Sequence, residues 1–205
     1  MFNFFKKLLI ARQLKVEKGS LEMLGERMLI MPAYTFSYII KSAEDQDKIG
    51  RLIYNACKHA NNDPRGFTYD VSKKFNLKGE DLIKWMADIA TTSGWGIIDI
   101  VRFDGDKKTA TIMIKDSPVA KNIQGAKNPV DHPIRGYMAG AAEVVFNDLS
   151  TDKKSWIKYD YVETKCVACG SQFCSFELMP REQLRNSSDK RIRELFRIQV
   201  GDQSD

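Results

Sequence analysis

The sequence is poor in the residues that most enzymes advertise. Among its 205 residues are only two histidines, and neither has an evident serine or cysteine partner. Nucleophile-elbow, zinc-protease, Walker and dinucleotide fingerprints are also missing, so no catalytic set stands out and no nucleotide cofactor is evident. No apolar run approaches the roughly 18 residues of a membrane span, which argues against a helical integral protein. The net charge of +5 is small for a chain that is 29% charged with mixed signs, and direct nucleic-acid contact is not expected. The opening "MFNFFKKLLIARQLK" has an apolar stretch of four residues and no small-residue cleavage site after it, so it does not read as a secretory signal. A cytoplasmic location follows as the expectation. Thiols stay reduced there, and clustered cysteines read as metal ligands or redox groups before disulfides.

What is present suffices for one core, since 43% of residues are hydrophobic. The first fifteen residues interleave apolar side chains with Lys6, Lys7, Arg12 and Lys15, as an amphipathic helix does. "KGSLEMLGERMLIMPA" follows, with Met28 to Met31 as a strand-like segment or a buried one entering a helix. Beyond "SAED", a capping pattern, Ile49, Leu52, Ile53, Ala56 and Ala60 recur at helical spacing. Two more helices are expected in "FTYDVSKKFN" and "GEDLIKWMADIATTSGWG". After Gly96 the period changes to two, and "IIDIVRF" and "TATIMIK" form a hairpin around "DGDKK". "HPIRGYMAGAAEVVF" is a helix whose Gly136, Ala139 and Gly140 permit close approach of another element. A second hairpin pairs "SWIKYDYVETK" with "FCSFELM", and a polar helix, "REQLRNSSDKRIRELFRIQ", ends the chain. Helices, hairpin, helix, hairpin is the order of an α+β fold: an antiparallel sheet of hairpins packed with several helices. The expected division is an N-terminal helix over 1–18, a ligand-binding domain over 19–179 and a basic C-terminal helix and tail over 180–205.

Three of the four cysteines fall within nine residues, in the connection of the second hairpin. Cys166 and Cys169 stand as C-x-x-C, and Cys174 lies on the opposite arm, so a tight turn brings three thiols within reach of one ion. A closed zinc site needs four ligands. His132, Glu143 and Glu163 are candidates for the rest, and spacing does not choose among them. Metal binding, unmetallated buried cysteines and thiol redox chemistry all remain open. The fourth cysteine, Cys57, lies alone in a helical pattern and reads as core packing.

Taken together, "GWGIIDI", "HPIRGYMAGAAEVVF" and "VETKCVACGSQFCSFEL" resemble the vinyl-4-reductase domain family, in which a glutamate, a cysteine, a glycine and a cysteine recur as at Glu163, Cys166, Gly170 and Cys174. The resemblance spans roughly Leu14 to Met179. It implies a compact ligand-binding fold like that of TRAPP vesicle-tethering components and heme nitric-oxide sensors, commonly a homodimer. It also implies binding of hydrophobic small molecules, and in sensing members a zinc held by the counterparts of Cys166 and Cys174 with a further cysteine and a glutamate from upstream. This chain departs there, because its small-residue helix has no cysteine; Cys169, Glu143 and His132 are the possible substitutes.

A pocket in such a fold is apolar with few polar groups, and Trp85, Trp95, Phe103, Tyr137 and Trp156 are the large aromatics near the elements that would enclose it. Each also suits ordinary core packing. The expected function is sensing of a hydrophobic or aromatic molecule, with a zinc-type site bracing the hairpin and another, regulatory, protein as output. One alternative is a TRAPP-like dimeric scaffold using its terminal helices. Another, a reductase acting on a tetrapyrrole vinyl group, rests on the family resemblance alone.

Overall fold

Among the described residues the first elements are short strands: β1 (Leu14–Glu17), β2 (Ser20–Met23) and β3 (Glu26–Arg27) form a small antiparallel sheet. They belong to a computed structural model that describes residues 14–201 apart from 19, 24–25, 29–31, 33, 64–65 and 148. The amphipathic opening falls largely on residues 1–13, outside the described residues, and so does most of the Met28 to Met31 run. Helix α1 (Tyr34–Ser42) follows Pro32, where a buried segment entering a helix is one of the two sequence readings. Next come α2 (Gln46–Asn62), α3 (Phe67–Phe75) and α4 (Gly79–Thr92). Asp45 starts α2 by accepting from the Lys48 N–H at 2.8 Å.

The expected hairpin is β4 (Ile97–Asp104) with β5 (Thr109–Lys115). Short α5 (Pro118–Asn122) leads to α6 (His132–Phe146), then β6 (Tyr159–Lys165) and β7 (Cys174–Pro180) form the second hairpin. The four strands pair antiparallel in the order β4-β5-β7-β6. Alternation puts Ala110, Ile112 and Ile114 of β5 and Cys174, Phe176 and Leu178 of β7 on the buried face.

The final helix is two: α7 (Arg181–Arg185) and α8 (Lys190–Gln199), because Asp189 recaps the chain through the Arg191 and Ile192 N–H groups. Phe196 of α8 is 1% exposed, and Ile192 and Leu195 pack against the same core. Burying a side chain such as Phe196 stabilises by roughly 1.5–3 kcal/mol, so α8 is anchored to the domain through its apolar face. Gln199 then seals the outer edge of β6: its amide oxygen accepts from the Glu163 N–H at 2.8 Å and its amide nitrogen donates to the Glu163 carbonyl at 2.9 Å.

Helices α2 and α6 cross at the centre, and the small residues decide how. A methyl group on Gly136 would run into the Tyr54 carbonyl, and one on Gly140 into the Lys58 carbonyl. The face of α2 turned inward is therefore Gly50, Tyr54, Lys58 and Asn62, whereas Leu52, part of the apolar periodicity, is 62% exposed. Periodicity misplaced that face because its polar members are buried in partnership: Lys58 reaches Glu143 and Asp160, and Asn62 donates to Glu143 at 2.5 Å. A second apolar cluster, including Val71, Leu82, Met86, Val144 and Trp156, fills the space among α3, α4 and the other side of α6.

Candidate functional site

The cysteine turn is built by backbone geometry. A β-bulge between Glu163 and Lys165 interrupts the β6–β7 pairing. Cys166 then opens a 3-10 turn, Val167–Cys169, closed by Gly170 at φ 93°, a left-handed conformation that favours glycine. Both the Cys169 and Ser171 N–H groups donate to the Cys166 carbonyl, at 3.1 and 3.0 Å. The turn folds Cys166 back over Cys174 at the start of β7. As a result, donor atoms of Glu163, Cys166 and Cys174 lie within 4.8 Å of one another, and all three residues are buried.

The electrostatics of this trio suit a cation. The Cys174 thiol donates to Cys166, and with further help from Glu163 and the Val130 and Ala168 N–H groups it pulls Cys166 down to about 6 against the opposing effect of burial. The same bond pushes Cys174 upward. Burial, then Asp131 and Cys166, raise Glu163 well above the usual carboxylate range. Asp131, which adjoins the trio, is pushed up to about 6, chiefly by burial. One oxygen of each carboxylate is satisfied: Glu163 Oε2 accepts from the Asp131 N–H at 3.1 Å, and Asp131 Oδ1 from the Ser117 hydroxyl at 2.5 Å. The other two, Glu163 Oε1 and Asp131 Oδ2, are buried without a hydrogen-bond partner. The two thiols and the half-satisfied Glu163 carboxylate form a donor set that suits a thiophilic divalent ion such as zinc.

His132 and Glu143 stand apart from this trio, and Cys169 borders it without belonging to it. Cys169 is exposed at its surface, and desolvation, then the neighbouring Cys166 and Glu163, push its thiol up to about 12. Glu143 lies in the α2–α6 interface, where it accepts from Lys58 at 2.9 Å and from the Tyr159 N–H at 3.1 Å. The His132 ring covers Gly50 and meets Arg135 at 3.1 Å; burial and the Arg135 and Arg51 charges lower its basicity. Cys57 is half-buried beside Gly136, and burial pushes its thiol up to about 11. Asp131 is the residue the sequence reading missed, since an aspartate before a helix reads as an ordinary N-cap.

A cleft of about 650 Å³ opens on the opposite flank of α6, lined by apolar groups that include Met23, Phe67, Ile89, Trp95 and Tyr137. Asn61, Asp63 and Ser93 add polar atoms to its wall. Of the five aromatic candidates the structure brings Trp95 and Tyr137 to this cleft. Trp85 stacks near Phe67 and Phe75, at 6.5 and 5.4 Å between ring centres, just behind the wall. Trp156 belongs to the adjoining apolar cluster. Phe103 is carried elsewhere by the hairpin and stacks on Phe146 at 5.4 Å.

No family model and no curated relative matches the chain. Solved structures do. The phenol-responsive sensory domain of the transcription activator PoxR, solved with phenol, is 15% identical with a TM-score of 0.71, and the match covers 100% of both chains. A trafficking protein particle complex subunit 3 from Naegleria fowleri, covalently bound to palmitic acid, is 14% identical at TM-score 0.51, over 72% of this chain and 92% of that one. A vinyl-4-reductase family protein from Methanocaldococcus jannaschii is 18% identical over 75% of this chain and 98% of that one, at TM-score 0.37, too distant to bear on the argument. At these identities the likeness is one of fold: an α+β architecture shared with a sensory domain and a TRAPP subunit.

Proposed function

We propose that the chain is a sensing domain for a small apolar or aromatic molecule. The observation that carries this reading is the cleft of about 650 Å³ with Trp95 and Tyr137 in its wall, a volume within the roughly 300–1,000 Å³ of small-molecule sites. A shared fold with a domain solved with phenol supports it. Helix α6 gives the reading a physical route to an output. Tyr137 stands at the cleft, and Asp131, at the N-terminus of the same helix, adjoins the cysteine turn. In the same proposal, Glu163, Cys166 and Cys174 hold a zinc ion that ties β6 to β7. Bound there, the metal would supply a structural crosslink, while the chain's own residues shape the turn and exclude water.

The test is thermal unfolding with phenol, an alkylated phenol and a fatty acid as separate probes. A ligand that binds only the folded state raises the melting temperature by mass action, and quenching of the part of the tryptophan fluorescence that Trp95→Ala removes reports the site. Expected is a rise with at least one probe that Trp95→Ala abolishes; no shift with any of them at millimolar concentration overturns the reading. The homodimer belongs to the proposal too: α1 exposes Tyr34, Tyr38 and Ile39 at 55%, 67% and 42%. Sedimentation velocity measures the oligomeric state directly.

A further inference from the structure

We infer that Asp131 is the fourth donor of the metal site, so that the ion is held by two thiolates and two carboxylates brought from the α6 N-terminus, the end of β6, the turn and the start of β7. The inference rests on the metal reading above and adds to it a residue that the cysteine pattern does not indicate.

Asp131 occupies the N-cap position of α6, where an aspartate ordinarily accepts from an N–H of the first turn. It makes no such bond. It is 0% exposed, Oδ1 is engaged by Ser117, and Oδ2 has no partner. Leaving a buried carboxylate oxygen unpartnered is costly. The nearby guanidinium of Arg135 does not relieve it: its two terminal nitrogens go to the Tyr161 carbonyl, the His132 ring and the Gln199 carbonyl. Glu163 repeats the arrangement, with Oε2 held by the Asp131 N–H and Oε1 partnerless. Two carboxylates, each with one oxygen fixed and the other free, are arranged as monodentate metal ligands are, their hydrogen-bonded oxygens serving to orient the ligating ones. Asp131 reaches the trio through Glu163, whose Oε2 accepts from the Asp131 N–H at 3.1 Å. Neither Asp131 nor the rival donor, Cys169, belongs to the trio whose donor atoms all lie within 4.8 Å of one another, but Cys169 is exposed whereas Asp131 is fully buried.

The ligand class is a thiophilic divalent cation, zinc or cobalt(II), bound in an S2O2 set. The experiment uses the full chain, stripped and reloaded with cobalt(II), and compares wild type with Asp131→Asn, Asp131→Cys and Cys169→Ser. Absorption counts thiolate ligands through the sulfur-to-cobalt band, and competition with a chromophoric chelator gives affinity. Expected are one cobalt per chain with a two-thiolate spectrum in wild type, an affinity loss in Asp131→Asn at least as large as the roughly 10–100-fold that follows loss of an outer-sphere partner, and an unchanged spectrum in Cys169→Ser. Asp131→Cys should bind with a third-thiolate increment, an outcome that does not depend on the asparagine variant folding. If wild type takes up metal but Asp131→Cys leaves the spectrum unchanged, or Asp131→Asn keeps wild-type affinity, this inference falls and the three-donor site stands. Failure of wild type to bind cobalt or zinc overturns both.

Discussion

Lys58 on α2 and Asp160 on β6 are 2.8 Å apart, with side chains 4% and 0% exposed. Lys58 also donates to the Tyr159 carbonyl at 2.6 Å and to Glu143 at 2.9 Å, while Arg181 and the Tyr54 hydroxyl donate to Asp160 at 2.7 and 2.5 Å. One ammonium thus joins the central helix pair to the sheet. Replacing it with methionine keeps the apolar stem and leaves two carboxylates buried together. Lys58→Met should destabilise by about 3–5 kcal/mol, measured by urea unfolding; a loss under about 1 kcal/mol would show the network to be dispensable.

The same cluster sets an acid limit on stability. Burial opposes ionisation of Asp160, but Lys58 and Arg181 outweigh it and hold the carboxyl at about 2, below its ordinary 3.8. Because the folded value is the lower one, this group stabilises the native state above pH 4, and the contribution is lost as pH falls from about 4 toward 2. It amounts to about 2 kcal/mol. Unfolding curves from pH 6 to 2 should show this limb in wild type and lack it in Asp160→Asn; identical profiles would contradict the assignment.

Gly136→Ala places a methyl group against the Tyr54 carbonyl, a backbone atom that cannot rotate away. Although alanine is the better helix former, the variant should lose about 1–3 kcal/mol. A gain in melting temperature would mean that α2 and α6 separate more easily than their packing implies.

Metal removal should act on the second hairpin. If the cysteine turn holds an ion with the free metal about 1,000-fold above its dissociation constant, chelation removes roughly 4 kcal/mol. Limited proteolysis should then cut within 166–173 first. Equal protease resistance with and without chelator would separate the metal from the turn's stability.

Much of the fold was legible because it is written in short-range pattern. The turn "DGDKK" and the cysteine connection both join period-two runs, and both became hairpins. Gly136 and Gly140 announced a close approach, which α2 makes. What escaped depends on tertiary partners. The inward face of α2 carries Lys58 and Asn62, whose burial makes sense only once Glu143 and Asp160 are placed. Asp131 looks like any helix cap until its orphan oxygen is found beside the thiols. Phe103 and Trp95 are equally aromatic, yet one faces Phe146 and the other the cleft. The break between α7 and α8 turns on Asp189, one polar residue in a polar stretch.

Gln199, described above as sealing β6, imitates a neighbouring strand with a single side chain: one acceptor and one donor presented to the two backbone groups of Glu163. An open edge there would be a template for another chain to pair with. The amide at the last position of α8 thus covers one stretch of the β6 edge, beside Arg135 and Arg191 on the Tyr161 and Thr164 carbonyls, and Arg135 and Arg51 fix that position by donating to the Gln199 and Ile198 carbonyls at 2.9 and 3.0 Å. The edge of the sheet and the shape of the candidate metal site thereby depend on the same contact: loosening the C-terminal helix would uncover unpaired backbone at the very residue, Glu163, whose backbone that amide holds in place.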